Sequence, residues 1–275
     1  MLFRSGNQKE AAAALCQQTK DIEVICRRMG GAFGGKEGNA SIFSQSAALA
    51  AFLLKKPVKL RACRDDDMLI TGKRHDFRID YDAGFDDQGR ILGLDLMLAS
   101  RCGPTMDYSG PVNDRALLHI DNAYYLPNVS VIGHRCKTNT QSSTAFRGFG
   151  GPQGMFAIET VMDEVARHLG LDPLAVRRAN LYHESADPAT LTTQYGQKIE
   201  DWIGDQVIAE VEAKADYAAR RAEVAAFNAG SKAVKRGLAL TPVKFGISFT
   251  ATLLNQAGRS EDHTSELQSL AYLVC

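Results

Sequence analysis

The spacing of apolar residues changes several times along the chain, and each change predicts a new element. Residues 8 to 19 are alanine-rich and helical in character, whereas Ile22 to Arg28 alternate apolar and polar positions as a strand does. From Asn39 to Lys55 apolar residues are dense enough for a helix, with Asn39 or Ser41 available to cap its start. Val58 to Cys63, Phe77 to Tyr81 and Ile91 to Ala99 read as strands, the last two joined by the turn-rich Asp86-Asp87-Gln88-Gly89. Helical periodicity returns from Gln153 to Leu169 and stops at Gly170, a residue suited to the left-handed turn that ends a helix. Asp172-Pro173 opens a short helix, Asp201 to Asn228 predicts a long solvent-facing one, and Gly237 to Thr250 regains strand character. Strands and helices mix without a strict βαβ alternation and without an internal repeat, so the fold class is α+β, with mixed sheets and helices, more than a doubly wound sheet.

Two glycine-rich segments punctuate this pattern: Gly30-Gly31-Ala32-Phe33-Gly34-Gly35-Lys36-Glu37 and Thr144-Ala145-Phe146-Arg147-Gly148-Phe149-Gly150-Gly151-Pro152-Gln153. Glycine lets backbone N–H groups approach a bound group closely, while the interleaved Phe, Arg and Glu offer stacking and charge. Both segments abut a helix start, and the first is expected to follow a strand. The bland reading of either is a tight turn between two elements. Gly30, Gly35 and Lys36 also reproduce the spacing of a nucleotide-binding loop. Such a loop needs Ser or Thr after its Lys to hold magnesium, and here Glu37 would set a carboxylate among phosphates.

Composition narrows the function classes. The 275 residues carry 32 basic and 32 acidic side chains, so no electrostatic footprint points to nucleic acid or an anionic membrane. The six cysteines are scattered with no C-x-x-C pair for zinc or an iron–sulfur cluster, and the six histidines include no paired ligand spacing. No metal held by protein side chains is expected. No signal region or long apolar run is present, which makes a cytoplasmic location the default, and no G-x-S-x-G elbow suggests a hydrolase.

Both glycine segments resemble loops of the molybdenum-binding subunit of xanthine dehydrogenases, in the xanthine oxidase family of molybdenum hydroxylases. The resemblance extends in the same order through Asp65 to His75, Arg115 to Asn122, Thr193 to Gln197 and Lys244 to Thr250, and covers most of residues 20 to 258. It implies a molybdenum–molybdopterin (pyranopterin) cofactor and hydroxylation of hypoxanthine and xanthine toward urate with water as oxygen source. It further implies that Phe33, Gly34 and Arg147 contact the cofactor through their backbone. Glu37 and Arg115 are implied to be catalytic, gripping opposite edges of a purine substrate. Phe149 and Phe249 would clamp its ring, and Thr250 would add a hydroxyl contact. An acceptor and a fixed cation on one planar ring orient it and offset negative charge that develops during attack. The Glu37 and Arg115 combination favours purines over the substrates of the related aldehyde oxidases. Without the resemblance, Glu37 could simply cap the following helix, and Arg115 could pair with Asp114 or Asp121.

The resemblance also implies 2Fe-2S clusters and FAD on other parts or subunits of the enzyme, and a higher oligomer when complete. Residues 1 to 258 are expected to be a partial cofactor-binding and substrate domain, with the catalytic base on a segment outside the chain. Residues 259 to 275 resemble a translated sequencing adapter and are expected to be a non-native tail. The remaining alternatives are another molybdenum hydroxylase such as an aldehyde oxidase, a nucleoside-triphosphatase with a degenerate phosphate loop, or a non-catalytic piece.

Overall fold

A computed structural model describes residues 2–27, 30, 31, 33–185 and 187–246. Its elements run α1 (Leu2–Ala14), α2 (Asn39–Leu54), α3 (Arg64–Ile70), β1 (Phe77–Phe85), β2 (Ile91–Gly103), α4 (Ser109–Leu118), β3 (Val129–Lys137), α5 (Gly151–Leu169), α6 (Pro173–Asn180), α7 (Gly204–Lys214) and α8 (Tyr217–Gly230). The chain divides into two units, residues 1–243 and 244–275, and all of these elements belong to the first. The α+β expectation holds: helices surround a mixed three-stranded sheet in the order β1-β2-β3, with β1 antiparallel and β3 parallel to β2.

The hairpin between β1 and β2 turns where the sequence placed it. The Asp86 carboxylate accepts from the backbone N–H groups of Gln88 and Arg90, both at 2.9 Å, which fixes the loop and the register behind it. In β2 the alternate residues Leu94, Leu96, Leu98 and Ser100 are buried. They belong to one face, and α5 supplies Ile158, Val161, Met162 and Val165 to the same core at helical spacing. Each such aliphatic side chain contributes about 1.5–3 kcal/mol on burial. Helix α5 ends on left-handed Gly170, and Asp172 caps α6 by accepting from Leu174 N–H at 2.8 Å.

Several expectations fail; the failed strands have no partner strand among the described residues. Ile22 to Arg27 and Val58 to Cys63 form no strand, and most of their side chains are exposed. Residues 237–246 are likewise irregular, while 247–250 lie outside the described residues. The long helix expected over 201–228 is two, because Asp216 adopts a left-handed backbone between α7 and α8. Helix α2 begins at Asn39, but without a side-chain cap; the Asn39 side-chain Oδ1 instead accepts from Gly72 N–H at 2.9 Å. Among the described residues no helix is long and apolar enough to cross a membrane.

Candidate functional site

The two glycine loops meet backbone to backbone. Phe33, Gly34 and Gly35 all have positive φ, at 52°, 81° and 75°. A left-handed phenylalanine stores about 1–3 kcal/mol of strain, and its ring is too exposed to hold it in place. What holds it is the second loop, whose Arg147 N–H donates to the Phe33 carbonyl at 2.8 Å. A Cβ on Gly34 would stand 2.7 Å from the Ala145 carbonyl oxygen, so glycine is required for this approach. Lys36 turns back and donates to the Gly31 carbonyl of its own loop.

The second loop is fixed from behind. Ser143 N–H donates to the Cys102 carbonyl at the end of β2, Thr144 N–H donates to Lys73, and the Gln153 amide donates to the His75 carbonyl. Gly150 and Gly154 lie where any Cβ would run into the backbone of α4 at Val112 and Ala116. Helix α4 carries Arg115 and is thereby keyed to the loop that carries Arg147 and Phe149. Burial draws the Arg115 pKa down, although a guanidinium remains charged. Asp114, one of the two expected alternative partners of Arg115, pairs instead with Arg135.

Glu37 follows the first loop. It caps nothing, and its Oε2 is buried without a hydrogen-bond partner. Together with Gly38, Asp107 and Tyr108 it lines a cleft of about 510 Å³, closed on other sides by Gly6 of α1 and Ile42 of α2. Tyr108 meets Phe149 edge to face, with ring centroids 6.0 Å apart. Burial first, then the charge of Glu37, push the Tyr108 phenol pKa up. Direct contacts thus join Phe33, Gly34 and Arg147, while Tyr108 links Glu37 to Phe149. Arg115 enters through the packing of α4, and Phe249 and Thr250 lie outside the described residues.

Some of the unsatisfied buried polar atoms belong to the loops or to residues bonded to them: Glu37 Oε2, Arg74 Nη1, Thr144 Oγ1 and Gln153 Oε1. Buried polar groups are normally hydrogen-bonded to protein, to ordered water or to a bound group, so these atoms have capacity to spare for a ligand. The Arg74 guanidinium lies 4.6 Å from the Phe146 ring centroid, and burial and then the positive charge of Arg147 lower its pKa. Two neighbouring guanidinia beside unsatisfied donors and acceptors suit an anionic group rich in hydrogen bonds. Among the described residues no three His, Cys, Asp or Glu side chains gather as metal ligands, so a metal here depends on ligands that a cofactor brings. Arg74, Thr144 and Gln153 sit inside the motif stretches, but their roles needed the contacts; Tyr108 had no motif to mark it.

Comparison with known proteins fits this picture. The family described as the molybdopterin cofactor-binding domain matches residues 4–181. The chain belongs to that family. This molybdopterin domain is 45% identical over 251 residues to the xanthine dehydrogenase/oxidase of Gallus gallus, covering 91% of the chain and 18% of the relative. It is 44% identical over 238 residues to a nicotinate hydroxylase of Emericella nidulans, covering 86% and 17%. Among solved structures it resembles the aldehyde oxidoreductase of Desulfovibrio gigas, with TM-score 0.69 and 28% identity over 82% of the chain and 24% of that structure. Quinoline 2-oxidoreductase of Pseudomonas putida 86 gives TM-score 0.69 and 26% identity, covering 82% and 29%. The molybdopterin domain therefore spans less than a fifth of the length of these curated relatives. Its cofactor is molybdenum-bearing molybdopterin, and the paired loops fit it.

Proposed function

We propose that residues 1–258 form the substrate wall and part of the cofactor cradle of a xanthine dehydrogenase, which hydroxylates hypoxanthine and xanthine to urate with water as oxygen source. The observation that carries this reading is the union of the two loops through Arg147 and Phe33, with the unsatisfied Glu37 carboxylate beside it. When bound, molybdopterin supplies the metal centre at which an electron-poor ring carbon is hydroxylated. Backbone groups of Phe33, Gly34 and Arg147 would hold that centre, while the guanidinia of Arg74 and Arg147 balance its anionic groups. Glu37 accepts an N–H from one edge of the purine, and Arg115 donates to the other edge and offsets charge developing there. Phe149, Phe249 and Thr250 orient the ring. Electrons leave through 2Fe-2S and FAD centres elsewhere in a cytoplasmic, higher oligomer, and residues 259–275 are a foreign tail.

In the cofactor-loaded, full-length enzyme, Glu37→Gln lowers kcat/KM for xanthine by about 10- to 100-fold, the loss of a charge-assisted hydrogen bond, with molybdenum content unchanged. Loss of molybdenum would instead move Glu37 from substrate to cofactor. The likeness to an aldehyde oxidoreductase supports aldehyde oxidation as a second reading; wild-type preference for an aldehyde over xanthine would establish it.

A further inference from the structure

We propose that Tyr108 determines heterocycle selectivity: its phenol donates to the carbonyl of a lactam edge whose N–H is accepted by Glu37, and its ring extends the wall begun by Phe149. The inference rests on the reading of Glu37 as a substrate acceptor and goes beyond it by specifying the edge recognised. Tyr108 and Glu37 line one cleft, and the charge of Glu37 acts on the phenol. The Tyr108 hydroxyl has no hydrogen-bond partner among the described residues, and Glu37 Oε2 is buried without one. A donor and an acceptor are thus both unspent on residues that line one cleft. A planar N–H beside a C=O presents the complementary pair, whereas an aldehyde or a bare aromatic nitrogen satisfies at most one of them. The position of Tyr108 is also held at a conformational cost. Asp107, immediately before it, has φ 39° at a residue that is not glycine, and it stands close enough to Gly38 that a Cβ there would lie 3.2 Å from its carboxylate. The edge-to-face contact with Phe149 then fixes the ring plane.

The test compares hypoxanthine, which has the N–H and carbonyl edge, with purine, which lacks the carbonyl. In the full-length, cofactor-loaded enzyme, Tyr108→Phe keeps the ring and removes the donor. It should lower kcat/KM for hypoxanthine about three- to tenfold, leave purine within about twofold, and leave molybdenum bound. Calorimetric titration of the cofactor-free protein should weaken hypoxanthine binding by a similar factor and leave purine binding alone. Tyr108→Leu should weaken both ligands, because it removes the wall as well. Equal losses for both ligands in Tyr108→Phe, or none for hypoxanthine, would overturn the assignment. A wild-type enzyme that holds molybdenum yet oxidises neither purine would refute the underlying substrate reading instead, and the calorimetric comparison would still decide the role of Tyr108.

Discussion

Two glycines of the first loop differ in what an added methyl would meet. At Gly34 a Cβ would collide with Ala145 and Phe146, and φ is 81°; at Gly30 nothing lies within 4 Å. Gly34→Ala is therefore expected to cost about 1–3 kcal/mol and to part the loops, lowering both the thermal midpoint and molybdenum retention. Gly30→Ala should stay within about 0.5 kcal/mol and retain the metal. Equal behaviour of the two variants would separate the loop contact from cofactor binding. His75, directly behind the second loop, makes a pH prediction. Its ring is buried and bonds to the Ser109 hydroxyl at 2.7 Å, and desolvation lowers its pKa from 6.5 despite opposing effects from Thr144 and Asp76. The unfolded chain takes up the proton first, so the stability advantage is complete above about pH 6.5 and is lost as pH falls through the depressed folded value. Chemical denaturation of wild type and His75→Gln across this range should show acid destabilisation that is smaller in the variant.

At the scale of elements, the junction between α5 and α6 is built on a buried ion-pair network. Arg177, fully buried, donates to Glu159 and to Asp163, each at 2.7 Å, and the same Glu159 accepts from the Tyr124 hydroxyl at 2.6 Å. Arg177→Leu would leave Glu159 a poorly compensated carboxylate beside the core, and should destabilise by about 3–5 kcal/mol in a urea titration. A loss under about 1 kcal/mol would mean that water enters and solvates the acid. Junctions of this kind mark the limit of what the sequence revealed. The hairpin, α2, α5 and α6 were legible because their signals are local: Asp86 in a turn, apolar spacing, Gly170, Asp172-Pro173. The strand β3 was missed because its placement comes from pairing with β2, and because Gly133 is needed to admit Asn113 and Leu117 of α4. The strand patterns at Ile22 and Val58 were read as elements, yet a strand also needs a neighbour. Among the site residues, the glycine loops carried Phe33, Gly34, Glu37 and Arg147 in a recognisable order. Tyr108 carried no such mark, since an isolated tyrosine gains meaning only from the Phe149 ring and the Glu37 carboxylate beside it.

For the molecule as a whole, the distribution of apolar surface argues for a partner polypeptide. Helix α2 contains no charged residue and buries only Ser41, while Phe52, Leu53 and Leu54 are exposed. Helix α3 exposes Met68, Leu69 and Ile70, with Leu69 at 75%. The last two turns of α2, Ala47 to Leu54, are apolar on every side; a segment of that kind is normally enclosed, and exposed patches of this type drive association. Relatives that match this chain are more than five times its matched length, so ample polypeptide exists in them to cover such helices. The 275-residue chain alone should therefore self-associate, with a sedimentation coefficient that rises with concentration. Leu53→Lys with Leu69→Lys should suppress that rise, because a lysine ammonium cannot be buried in an apolar contact at low cost. A chain that sediments as a monomer at every concentration would show instead that these helices tolerate solvent, and that enclosure by more polypeptide is not what their composition serves.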